Sequence, residues 1–324
     1  EKVGFIDLLQ KMGPKDHQFL YVLTYHRVEE LDQTPWMDPG YISTTPQQFE
    51  EQMKLIVKKY HPVSAEQILE AAHGGKPLLR DSVLVTVDDG YRSYKDVIFP
   101  ICAKYGIIPL LFLSTGFVGE GTFWWDKVFQ IIHLSGRNEI ETPFGKFSLS
   151  TNDEKEAAQH TILQALKKTP FDQAMAWVDS THSSLVNLSE EKQQNTVTWD
   201  DLRQLIGEGA TIASHTHTHP MMTQIPLEEA RYQVRLSQEI IRRELGYAPP
   251  IFAFPDGKNR AFNQNLIDML YSEGFEMLFL LVDGRAVIQP GRKNFTLPRI
   301  AVWQNQTIPH FHLRLTPIID RLKK

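Results

Sequence analysis

Two short stretches carry most of the chemistry that this chain could perform. The first is Asp88-Asp89-Gly90, two adjacent carboxylates followed by glycine. Two carboxylates in one cavity repel each other unless a cation or a proton offsets the charge. The second is Ser214-His215-Thr216-His217-Thr218-His219-Pro220, with three histidines in five residues. Neutral imidazole is the commonest nitrogen ligand for Zn²⁺. His215 and His219 are four apart, so one helical turn or a tight loop brings both to one side and leaves His217 pointing away. One Asp with two His makes a three-ligand set with positions open for water and substrate, as a catalytic metal requires. The other Asp is then free to act as a base. Each stretch also has a plain reading: an Asx turn completed by glycine, and a polar loop rich in histidine.

Both stretches must be positioned by strands. Val83–Val87 carries alternating β-branched residues and runs straight into Asp88; Ile212–Ser214 leads into the histidines. Short apolar runs at Phe19–Thr24, Ile107–Leu113, Ile251–Phe254, Met277–Val282 and Thr296–Val302 complete about seven strands. Helical spacing marks residues 46–60, 64–73, 93–105, 227–245 and 263–273. Continuous apolar strands alternating with helices predict an α/β fold with parallel strands covered by helices. In such folds, sites assemble at the C-terminal ends of the strands. Residues 123–195 break the alternation. They read as helices at 124–134, 153–168 and 171–185 with a small hairpin near 143–149. We read them as a mostly helical insertion within a single domain spanning residues 1–324.

Composition removes several function classes. Of 324 residues, 42% are hydrophobic and 23% charged, which is ordinary for a globular chain. A net charge of −5 gives no electrostatic footprint for nucleic acid or an anionic membrane. No apolar run approaches the ~18 residues of a membrane span. Cys102 is the one cysteine, which excludes an intrachain disulfide and a Cys-rich zinc site. No signal peptide is visible, which leans towards the cytoplasm; a periplasmic or exported protein with its leader removed is the alternative. An oligomeric state is not specified.

Val85-Thr86-Val87-Asp88-Asp89-Gly90, followed by Ser214-His215-Thr216-His217-Thr218-His219, resembles the first two motifs of the polysaccharide deacetylases, the carbohydrate esterase family 4 or NodB-homology fold. Phe252-Ala253-Phe254-Pro255-Asp256-Gly257 resembles the third motif as the exopolysaccharide, biofilm-type branch writes it. The resemblance spans roughly Phe19 to Val302, without the insertion. It implies a distorted (β/α)₇ barrel. It implies that Asp89, His215 and His219 bind a divalent metal, foremost Zn²⁺ with Co, Ni or Fe as alternatives. Asp88 would be the general base, and the backbone N–H near Pro255 and Asp256 would help hold an oxyanion. The usual third motif begins with Arg and carries an aromatic where Asp256 stands. Here Phe252 replaces that Arg, and Arg299 could supply the guanidinium from another strand; a surface Arg at a strand end is the plain reading.

The family's late Leu-x-His acid has no match, although His310 and His312 lie near the C-terminus. Tyr25-His26-Arg27 instead resembles the N-terminal motif of the biofilm branch, whose strand order is circularly permuted, and makes His26 the expected acid. A nearby carboxylate would favour its imidazolium. Trp36, Trp125 and Trp303 could line a sugar groove, with Trp124 expected in the core. The resemblance implies an N-deacetylase acting on an N-acetylated glycan. An O-acetyl esterase or small-amide hydrolase, or an inactive glycan-binding module, are the competing expectations.

Overall fold

The computed structural model describes residues 19–317. Seven parallel strands follow one another around a single sheet in chain order: β1 (Phe19–Tyr25), β2 (Ser82–Asp89), β3 (Leu110–Leu113), β4 (Thr211–Ser214), β5 (Ile251–Ala253), β6 (Met277–Leu280) and β7 (Phe295–Pro298). β1 and β2 are buried at every position, as parallel strands covered on both faces must be. Alternate residues serve two cores. Leu20, Val22, Leu84, Phe112, Ala213, Met277 and Phe279 fill one side. Tyr21, Leu23, Val83, Val85, Leu111 and Ile212 pack with helix α1 (Pro46–Lys59) on the other. The helix starts where Thr45 accepts a hydrogen bond from the Gln48 N–H, and Pro46 fits its first turn.

The expected last strand, 296–302, is broken. β7 pairs with β6, whereas Ile300–Ala301 pairs in parallel with Leu23–Thr24 of β1. The chain changes partner at Arg299 and closes the sheet there. The β6–β7 connection carries no helix; Ala286–Val287 pairs antiparallel with Phe19–Leu20 instead. These two irregularities are what distort the expected (β/α)₇ barrel, which is otherwise observed. The predicted helix 93–105 is also interrupted. Pro100 cannot donate a backbone hydrogen bond, and a π turn at Tyr94–Ile98 precedes the regular helix Phe99–Lys104.

Between β3 and β4 the chain forms α2 (Trp124–Leu134), α3 (Asn152–Leu166) and α4 (Phe171–Leu185), with an antiparallel hairpin pairing Glu139–Thr142 to Gly145–Ser148. They share a core of Val128, Ile131, Ile162, Leu166, Ala174 and Val178. A further helix, α5 (Trp199–Gly207), was not expected; Thr198 and Asp201 begin it with a capping box. Among the described residues, no helix is long and apolar enough to cross a membrane.

Candidate active site

Asp88 and Asp89 are the last two residues of β2, so their side chains leave in different directions. Asp88 accepts a hydrogen bond from Arg299 Nη1 at 2.6 Å, and both side chains are buried. The break in the last strand is what delivers Arg299 to this point. Burial alone would raise the Asp88 pKa. Arg299, His215 and His26 reverse that and hold the carboxyl below its ordinary value. Asp89 has the opposite surroundings. Burial, then Asp88 and Asp126, push it well above the ordinary carboxylate value. Its Oδ1 is buried and accepts no hydrogen bond. The backbone turns sharply here, with φ of 77° at Asp89 and 108° at Gly90. A Cβ on Gly90 would lie 2.7 Å from Leu113 Cδ1, so glycine is required on two counts.

The histidine stretch is a tight loop after β4 rather than a helical turn. Thr216 and His219 both have positive φ. The loop is pinned from outside by Ser214 to Ser237 Oγ–Oγ at 2.9 Å and by the Thr218 N–H donating to Gln233 Oε1 at 2.9 Å, both partners on helix α6 (Leu227–Leu245). Within it, the His219 N–H donates to Thr216 Oγ1 at 3.1 Å. Among the described residues, four of the six non-glycine positions with positive φ are Asp89, Thr216, His219 and Asp256. Backbone strain is thus concentrated where the motifs meet, as at sites whose geometry is over-determined by their surroundings. His217 points away, with Nδ1 3.0 Å from Thr115 Oγ1.

Asp89 Oδ1 lies 3.7 Å from His215 Nε2 and 3.4 Å from His219 Nε2. One ligand atom from each residue falls within 4.8 Å of the others. The residues fit a divalent cation on three grounds. The Asp89 oxygen is an orphaned buried acceptor. His215 Nδ1 lies 2.8 Å from the Ala253 carbonyl, which fixes a proton on Nδ1 and leaves Nε2 as a lone-pair donor. Burial pushes His215 down to about 4 and His219 well below its ordinary value, so both imidazoles are neutral, the ligating form.

His26 follows β1 at the same barrel end. Its N–H donates to Ser43 Oγ at 2.9 Å, and its ring meets Tyr41 edge-on at 6.2 Å. The expectation of a favoured imidazolium needs correcting. Asp88 does act in that direction, but burial outweighs it and Arg299 and Lys258 add to the loss, so His26 titrates below its ordinary value. His312 is buried against Tyr60, 5.9 Å between ring centres. Tyr60 adjoins the His61–Ser82 pairing at the start of β2, the end opposite Asp88. His310 packs against Trp303 at 5.9 Å. Pro255 is buried and Asp256 follows β5, beside the Ala253 that holds His215. Asp256 has a φ of 60° and pairs with Arg260 at 2.8 Å. Phe252 packs on Phe254 and Phe275, as an apolar residue in the usual Arg position should.

Sequence reasoning missed two residues near the site. Tyr41 stacks on Trp125 with 5.8 Å between ring centres, and Trp125 in turn lies 4.8 Å from the His219 ring. Asp126 accepts from the Tyr91 hydroxyl at 2.9 Å, and that hydroxyl accepts from Trp125 Nε1 at 2.6 Å. The adjacency of Trp125 and Asp126 to a helix start was the available signal; the contacts themselves are long-range.

Comparison with known proteins agrees with this geometry. Over 313 residues, 95% of this chain and 40% of the relative, the chain is 22% identical to the poly-β-1,6-N-acetyl-D-glucosamine N-deacetylase of Escherichia coli (strain K12). The chain therefore spans about two fifths of the length of that curated relative. Among solved structures, the Streptococcus pyogenes deacetylase PplD in complex with acetate superposes with a TM-score of 0.61 at 15% identity, covering 93% of this chain and 100% of that one. IcaB from Ammonifex degensii superposes with a TM-score of 0.59 at 18% identity, covering 92% and 97%. At such identities the structures establish the shared fold. Residues 75–278, which hold all three sequence motifs, match the polysaccharide deacetylase family. The motifs, the barrel that brings them to one end and this match agree with the exopolysaccharide branch expected from the sequence, and the chain belongs to the polysaccharide deacetylase family.

Proposed function

We propose that the chain is a divalent-metal-dependent hydrolase that removes N-acetyl groups from an N-acetylated sugar of a bacterial polysaccharide. The carrying observation is the convergence of Asp89, His215 and His219 beside an arginine-held Asp88. Similarity to the E. coli enzyme over nearly the whole chain supports an N-acetylglucosamine polymer as the substrate class. Asp89, His215 and His219 would hold the metal. Zn²⁺ suits this donor set, and Co, Ni or Fe are alternatives. When bound, the ion supplies Lewis acidity that polarises an acetamide carbonyl and makes water a better nucleophile at neutral pH.

The protein groups supply the proton transfers. Asp88 is ionised and is aimed by Arg299, so it can take the proton of the attacking water. We assign the oxyanion role that the third motif implies to the backbone N–H at Asp256, with Pro255 restricting the preceding backbone. The amide C–N bond then breaks, and the nitrogen must leave as a protonated amine. His26 is the group we assign to that proton. Acetate and a free amine on the sugar are the products.

The test is product analysis on an N-acetylated oligosaccharide with and without chelator. The reading expects acetate and new amine in equal amounts, loss on chelation, and recovery with Zn²⁺ or Co²⁺. Acetate without new amine would indicate an O-acetyl esterase. No turnover in a metal-loaded preparation would indicate a silent glycan-binding module.

A further inference from the structure

We infer that a second sugar subsite, built on Trp303, lies beside the metal cluster and holds the N-acetylated residue next to the one being hydrolysed. This rests on the proposed deacetylase reading. Of the tryptophans that the sequence marked as groove candidates, Trp125 is buried and Trp36 half-buried, whereas Trp303 is 45% exposed. A single exposed apolar side chain needs no explanation by itself. Here the indole is also held rigidly. The Arg314 guanidinium stacks 4.1 Å from its ring centre. Arg314 is itself buried, donating to the Ala301 carbonyl and to Asp283 at 2.6 Å.

Trp303 lines a groove of about 710 Å³ together with Lys258, Arg260, Leu281, Asp283 and Arg314. That volume suits a small-molecule site. Most of the groove's walls follow C-terminal strand ends: Lys258 and Arg260 follow β5, Leu281 and Asp283 follow β6, and Trp303 follows Ile300–Ala301, while Arg314 reaches in from the helix Ile308–Arg314. It therefore opens at the barrel end that carries Asp88, Asp89 and His215. Two of its walls are joined where the Leu281 N–H donates to the Gly257 carbonyl at 2.7 Å, in the same loop as Asp256. A polymer whose reacting sugar sits at the metal cluster would run on into this groove, which commits the occupant to the substrate chain itself.

The lining also selects between acetylated and deacetylated neighbours. Arg260 is paired with Asp256 and Arg314 with Asp283. Lys258 has no ion-pair partner among the described residues, so the groove keeps one net positive charge. A neutral N-acetylated pyranose can lay its C–H face on the indole and take hydrogen bonds from the cationic side chains. A sugar that already carries an ammonium group is repelled.

The experiment compares wild type, Trp303→Ala and Trp303→Phe on an N-acetylated monosaccharide glycoside and on an N-acetylated pentasaccharide. For Trp303→Ala, KM on the pentasaccharide should rise about tenfold with kcat kept, the scale of one lost aromatic contact. The monosaccharide should be unaffected, and Trp303→Phe should recover most of the loss. Lys258→Gln should reduce discrimination against a pentasaccharide bearing a free amine beside the reacting sugar. Equal losses on both lengths, or none on either, would overturn the subsite. If wild type releases no acetate from either substrate, the deacetylase reading fails separately. Calorimetric binding of the intact pentasaccharide then decides: about tenfold weaker binding by Trp303→Ala supports the subsite, and equal binding overturns it.

Discussion

Two buried polar clusters meet at the segment Asp88–Tyr91, and their difference separates a binding site from a scaffold. Each contains a carboxylate and an arginine. In the first, Asp88 pairs with Arg299, while Asp89 Oδ1 faces two neutral imidazoles and accepts nothing. In the second, both oxygens of Asp126 are used: Oδ1 accepts from the Asp38 N–H at 3.1 Å and Oδ2 from the Tyr91 hydroxyl at 2.9 Å. Arg27 donates from Nη1 to the Asp38 carbonyl and from Nη2 to Glu29 and Thr34, while its buried Nε has no acceptor among the described residues. Burial pushes Asp126 up to about 7 against the pull of Arg27, so it too is perturbed. A perturbed pKa therefore does not distinguish the clusters. Hydrogen-bond satisfaction of the carboxylate does. A buried acceptor left open is costly and is kept where a ligand completes it. The second cluster braces the first: Tyr91 holds the Trp125 indole, whose ring lies against His219.

The contrast breaks first, and most completely, at His215. His215→Ala should abolish metal binding and acetate release together, because it removes a ligand that no neighbouring group can replace. Elemental analysis beside a turnover assay reads both. Retention of metal at the wild-type level would move the metal site elsewhere.

A smaller effect is expected at His26. His26→Ala should keep the metal and cut turnover by roughly 10²–10⁴, the usual range for a positioned acid or base. It should cost an amide substrate more than an activated aryl ester, whose leaving group needs no proton. The pH profile has a defined sign. The His26 pKa is lowered from 6.5, so its imidazolium is lost as pH rises through a value below 6.5. The alkaline limb of kcat/KM should fall there in wild type and be absent in the variant. Comparable His310→Ala or His312→Ala losses on the amide, with none for His26→Ala, would reassign the acid.

The mildest effect on chemistry should come from the cluster whose carboxylate is satisfied. Asp126→Ala leaves the Tyr91 hydroxyl and the Asp38 N–H without their acceptor, which should cost about 1–3 kcal/mol of stability. Metal content should stay at the wild-type level. Urea unfolding measures the first and elemental analysis the second. Metal loss with unchanged stability would make Asp126 part of the site.

The sequence exposed the parts of this arrangement that are local. Both motifs are contiguous, and each directly follows an apolar run that had to be a strand, so Asp88, Asp89, His215 and His219 were legible. Arg299 was visible only as a candidate. What brings it to Asp88 is a change of strand partner at one residue, and 296–302 reads as a single uninterrupted strand. Tyr41 was not legible, and Asp126 was marked only by its place beside Trp125 at a helix start. Asp126 is buried one turn before the equally buried Gln130, and its partner Tyr91 is 35 positions away in the chain. Tyr41 lies in a short irregular segment that carries no periodicity. The helix at 199–207 has only nine residues, and its local signal is the capping box of Thr198 and Asp201.

The central claim is that two adjacent carboxylates have opposite tasks, one held by arginine for a proton and one left open for a cation. The direct test is Zn²⁺ titration of metal-free Asp88→Asn and Asp89→Asn by calorimetry, with acetate release measured on the same samples. The account predicts near wild-type Zn²⁺ affinity but little turnover for Asp88→Asn, and weakened Zn²⁺ binding for Asp89→Asn. Equal loss of Zn²⁺ affinity in the two variants would contradict it.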